Sequence, residues 1–126
     1  MDVGDATRYL KAGTSVVSVE YRFIRHAAEE KIETPVRCPL HDAARAVQFV
    51  RSKAGEWNLR KDRVAFAGFS AGGGTSLWLA FHPDLADPAN PDPVLRESMR
   101  PACIAISGAQ TSLDPCQVRE WIPNIR

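Results

Sequence analysis

No apolar run in this chain approaches the roughly 20 residues that cross a bilayer, so the sequence offers no membrane span. The amino end, Met1 to Arg8, carries Asp2 and Asp5 and no hydrophobic segment, and does not read as a secretory signal. An excess of charge of one sign is lacking too. The 16 Lys and Arg against 15 Asp and Glu leave a formal net charge of +1, which recommends neither nucleic acid nor an anionic membrane as a partner. Cysteine is limited to Cys38, Cys103 and Cys116, an odd number at wide spacing that gives no disulfide framework. A reducing compartment, cytoplasmic for the chain as written, is the default expectation. Repeats and low-complexity stretches are missing. Cys38 and His41 have the separation of half a metal site with no second half, so neither a metal nor a cofactor is expected.

What is present is ordinary globular material: 126 residues, 44% hydrophobic and 25% charged. That length suits one domain, residues 1–126, with a core burying roughly two-thirds of the unfolded surface. Ala6 to Ala12 reads as the end of a helix closed by Gly13. Thr14 to Arg22 is rich in β-branched residues and reads as a strand. Phe23 to Cys38 is mixed, charged and broken by Pro35 and Pro39, and reads as a loop. Leu40 to Ala54 carries Ala43, Val47, Val50 and Ala54 at helical spacing, widened by Ala46 and Phe49, with Asp42 near its start and Gly55 as a stop. Arg63 to Ala67 predicts a buried strand, and a helix follows through about Phe81. Residues 83–100 hold a proline-rich loop, then a short helix from Val94 to Met99. Ala102 to Ser107 is a third apolar strand ended by Gly108, with Cys103 in the core. Strands alternating with helices predict an α/β fold with a mainly parallel, doubly wound sheet and three recognisable strands.

The most informative stretch is Gly68-Phe69-Ser70-Ala71-Gly72, lying between an apolar strand and a helix. Strand, G-x-S-x-G, helix is the context of a nucleophile elbow, in which a serine sits on a strained turn at a strand tip. Side chains two positions either side would collide there, and Gly68 and Gly72 remove them. Ser70 is then the candidate nucleophile, and the backbone N–H of Ala71, at the positive end of a helix, the candidate oxyanion donor. A competing reading makes Gly72-Gly73-Gly74 a helix amino end that binds a phosphate or carboxylate in a non-catalytic module. It lacks the lysine of a P-loop and the spacing of a dinucleotide site.

Val16 to Arg22, ending in Tyr21-Arg22, then Pro39 to Ala54 with its Asp42-Ala43 pair, and Asp62 to Gly73 with Ser70-Ala71-Gly72-Gly73, together resemble the α/β-hydrolase fold. The likeness is to its carboxylesterase and lipase branch, which also holds the hormone-sensitive-lipase-like esterases. The resemblance implies hydrolysis of a small-molecule carboxylic ester through an acyl-enzyme on Ser70. It also implies the start of a cap-like segment over residues 109–126, in which Trp121 would wall a substrate site or face solvent. Family members carry a His-Gly-Gly loop upstream of the Tyr-Arg pair and an acid and a histidine after later strands. This sequence has none of these, so it reads as the middle of such a hydrolase, weak or inactive alone or a non-catalytic remnant. Unpaired strand edges would then invite self-association. His26, His41 and His82 read more simply as loop, cap-region and helix-end residues than as a general base. Asp84, Asp87, Asp92 and Asp114 lie in turn-forming contexts. Trp78 reads as packing.

Overall fold

The computed structural model describes residues 6–121. It divides into two compact units, one of residues 6–62 and 85–99 and one of residues 63–84 and 100–121.

In the first unit, α1 (Ala6–Lys11) closes as the sequence predicts. Gly13 takes φ +72° and the Thr14 N–H reaches back to the Tyr9 carbonyl at 2.9 Å, which satisfies an orphan helix acceptor. Residues 14–22 form no strand, contrary to the expectation for Thr14 to Arg22. A β-branched composition makes extended backbone easy, but a strand also needs a neighbour for its N–H and C=O groups. No ladder bond forms along this stretch among the described residues.

The predicted loop from Phe23 to Cys38 instead contains α2 (Ile24–Glu29) and the start of α3 (Arg37–Ser52). Pro39 does not end α3. It falls in the first turn, where its missing N–H would have had no helical acceptor anyway. Cys38, Leu40, Ala43, Ala44, Val47 and Gln48 form the buried stripe, while Phe49 is exposed. The helix stops at Ser52, three residues short of Gly55, which turns out not to be its stop. Gln48 is buried but satisfied, its Nε2 donating to the Glu97 carbonyl at 2.9 Å. Residues 93–96 form a turn and no helix follows, contrary to the short helix expected from Val94 to Met99.

In the second unit, β1 (Ala65–Phe69) lies two residues later than Arg63 to Ala67, because Lys61–Arg63 is taken up by a 3₁₀ turn. It pairs in parallel with β2 (Cys103–Ser107), Ala65 opposite Cys103 and Phe69 opposite Ser107. Among the described residues this is a two-stranded sheet rather than one of three. Between the strands in sequence, α4 (Ala71–Phe81) packs on both. Cys103 is exposed rather than core. Burial of a strand residue depends on what layers cover its face, which alternation alone does not reveal. The tail carries α5 (Pro115–Trp121). Residues 122–126 of the expected cap-like segment, and the Trp121 side chain, lie outside the described residues. Among the described residues no helix is long and apolar enough to cross a membrane.

Candidate functional site

Gly68, Ser70, Ala71 and Gly72 come together where β1 turns into α4. Ser70 has φ 52° and ψ −118°, a conformation few L-residues adopt and one that costs on the order of 1–3 kcal/mol. The turn is tight enough to decide the residue at 68. A Cβ on Gly68 would sit 2.2 Å from both the carbonyl carbon and the carbonyl oxygen of Gly72, and 2.6 Å from the Gly73 nitrogen. These are backbone atoms, so no rotamer change relieves the clash.

The serine is exposed and its backbone is used up by the fold. Its N–H donates to the Ser107 carbonyl at 3.1 Å, extending the β1–β2 pairing by one bond, and its carbonyl accepts the Gly74 N–H at 3.1 Å, starting α4. The Ala71 N–H is the next donor along the chain. As the first residue of an eleven-residue helix it has no acceptor within the helix, and it stands at the helix's positive end.

The other glycines of the triplet have a packing explanation. A Cβ on Gly73 would come within 2.8 Å of the Ala109 Cβ, and one on Gly74 within 2.9 Å of the Gln110 carbonyl oxygen. Residues 109–110 cross the first turn of α4 closely, which accounts for glycines in a helix where each costs roughly 1 kcal/mol against alanine. An anion cradle is not needed to explain them.

Of the three histidines, His82 shares the second unit with Ser70. His82 lies beyond the far end of α4, about 16 Å of helix away. There it stacks on Trp78 with ring centroids 4.2 Å apart, and its Nδ1 lies 2.9 Å from the Pro83 carbonyl oxygen. His26, in α2, accepts the Phe23 N–H on Nδ1 at 2.9 Å and stacks on the Phe23 ring, as a local helix-start residue would. His41 belongs to α3. Asp87 and Asp92 cap turns, accepting the N–H groups of Ala89 and Val94 at 3.1 and 2.9 Å, and Asp114 accepts that of Cys116 at 2.8 Å. No group of three or more metal-ligating side chains exists among the described residues. Cys38 is buried, and that burial raises its thiol pKa, which disfavours the thiolate a ligand or nucleophile needs.

Sequence reasoning missed a connection in the first unit. Arg22 donates to Asp42 from its backbone N–H (3.0 Å to Oδ2), from Nε (2.9 Å to Oδ2) and from Nη2 (2.7 Å to Oδ1), and from Nη1 to Glu30. The Tyr-Arg pair is thereby tied to α3. The guanidinium holds the Asp42 carboxyl below its ordinary pKa, against an opposing effect of burial. A depressed folded-state pKa gives stability that is present above the unfolded value of about 4 and lost as pH falls through the folded value. Asp42→Asn should therefore lower Tm by about 3–5 °C at neutral pH, and the gap to the parent should narrow below about pH 4. Thermal melts at pH 7 and about pH 2.5 check this; an equal gap at both would contradict it.

No curated protein sequence is similar enough to the chain to count as a match. Among solved structures, the chain is similar to the crystal structure of an acetyl ester-xyloside bifunctional hydrolase from Caldicellulosiruptor lactoaceticus. The two are 42% identical with a TM-score of 0.53, over 55% of this chain and 25% of that one. The chain thus spans about a quarter of that hydrolase's length. The BD-FAE family model matches residues 1–108 of the 126. The chain belongs to this BD-FAE family, an α/β-hydrolase-type esterase family.

Proposed function

We propose that the chain supplies the nucleophile of a carboxylic-ester hydrolase, with Ser70 attacking the ester carbonyl and the Ala71 N–H receiving the oxyanion. In the first step a bond forms from Ser70 Oγ to the acyl carbon. The bond to the alcohol oxygen breaks, and the alcohol leaves with the proton that the serine gave up. Water then adds to the acyl-enzyme, the acid departs and the serine hydroxyl is restored. The observation that carries this reading is the Ser70 backbone at φ 52°, ψ −118°, strain that a mere packing turn has no reason to hold on a serine.

The elements around Ser70 fit the doubly wound, mainly parallel sheet of an α/β hydrolase, and the outer edges of β1 and β2 are where self-association would begin. Acetyl esters are the substrate class to try first, since the similar solved hydrolase is one for acetyl esters. In this reading Ser70 is the nucleophile and the Ala71 N–H one oxyanion donor. Without a general base a serine hydroxyl at its ordinary pKa is a poor nucleophile, and should react orders of magnitude more slowly than in a complete triad. Incubation with a fluorophosphonate, followed by intact-mass measurement, tests the reading. One adduct is expected on the parent chain and none on Ser70→Ala. A folded parent chain that takes up no adduct overturns it.

A further inference from the structure

We infer that Ser76 is a positioning residue for the elbow, holding the Gly72–Gly73 peptide against Gly68 and so setting the geometry of Ser70; this rests on Ser70 being the nucleophile. Ser76 is 4% exposed and donates its hydroxyl to the Gly72 carbonyl at 2.8 Å. That carbonyl is the group lying 2.2 Å from where a Gly68 Cβ would be. It forms the narrowest point of the turn, two residues beyond Ser70 and facing the residue two before it.

A carbonyl has two lone pairs. In α4 one serves the helical N–H of residue 76, and the Ser76 hydroxyl takes up the other. With both engaged, the 72–73 peptide cannot swing away from Gly68. The start of α4, from which the Ala71 N–H projects, is fixed with it. The arrangement runs against local helix preference. Serine is a poorer helix former than alanine, and a hydroxyl bonded back to residue i−4 slightly destabilises a helix.

That conflict separates a positioning role from a structural one. Ser76→Ala should leave Tm unchanged or raise it, while slowing fluorophosphonate labelling of Ser70 by about fivefold, the effect of one lost hydrogen bond. Ser76→Thr, which keeps the hydroxyl, should restore the parent rate. A second readout does not depend on reactivity. In Ser76→Ala the amide resonances of Ser70 and Ala71 should shift and the Ser70 N–H, bonded to the Ser107 carbonyl, should exchange faster with solvent, both reverting in Ser76→Thr. Failure of the parent chain to label would overturn the nucleophile reading and leave the amide measurement to judge Ser76. Unmoved Ser70 and Ala71 amides in Ser76→Ala, or a labelling rate that follows Tm alone, would overturn the positioning role.

Discussion

Gly68→Ala should be the most damaging single-methyl substitution in the second unit, lowering stability by about 3 kcal/mol, equivalent to a Tm drop of roughly 10 °C or more. The added carbon would fall 2.2 Å from two atoms of the Gly72 peptide, and both partners in the clash are main chain. Relief requires β1 and the first turn of α4 to move apart, which also displaces Ser70. Gly55 provides the control. A Cβ there meets nothing within 4 Å and its φ is not in the left-handed region. Gly55→Ala should therefore be neutral or slightly stabilising, by restricting the unfolded chain. Urea denaturation of the two variants side by side makes the comparison. Equal effects would mean that the elbow is not the tight turn described above.

Ser70→Gly should produce the opposite change in stability and a total loss of reactivity. Glycine occupies φ 52°, ψ −118° without the penalty a serine bears, of order 1–3 kcal/mol. Against this stands the greater backbone freedom glycine gives the unfolded chain, somewhat under 1 kcal/mol. A net gain of about 1 kcal/mol follows. Ser70→Ala keeps a Cβ and with it the strain, so its stability should stay near the parent's. Neither variant should accept a fluorophosphonate. Stability gained where function is lost is the signature of strain retained for the hydroxyl. A destabilised Ser70→Gly would show that the turn gains nothing from relief at this position.

The parts of the fold that could be read from sequence are those fixed by neighbours in the chain. The elbow is one. Gly68 is required by atoms only four and five residues away, so that half of the pattern Gly68-Phe69-Ser70-Ala71-Gly72 carries its own steric explanation. The Gly13 closure of α1 is another. Features that depend on distant partners were not legible. Residues 14–22 have the composition of a strand, but composition does not supply the adjacent backbone that would make them one. Pro39 looked like a breaker because its effect depends on where the helix starts, and α3 starts two residues earlier. Cys103 looked like core because an apolar strand is buried only when layers cover it, and here it is exposed. The Arg22–Asp42 pair spans twenty residues of sequence with no local signal, and the family resemblance offered only the two motifs, not their contact. Ser76 could have been suspected from its spacing, since a serine four residues after a glycine in the first turn can reach that glycine's carbonyl. The general base was not legible in the sequence, where His26, His41 and His82 read as loop, cap-region and helix-end residues.

The central claim is that one hydroxyl, that of Ser70, is set apart from every other in the chain. It is tested most directly by locating the fluorophosphonate adduct. Trypsin should release residues 64–96 as one peptide, which contains Ser70, Thr75 and Ser76. Fragmentation of that peptide should place the whole adduct on Ser70. An adduct on Ser76 or Thr75, or spread over serines outside the peptide such as Ser15, Ser52 and Ser112, would contradict the account.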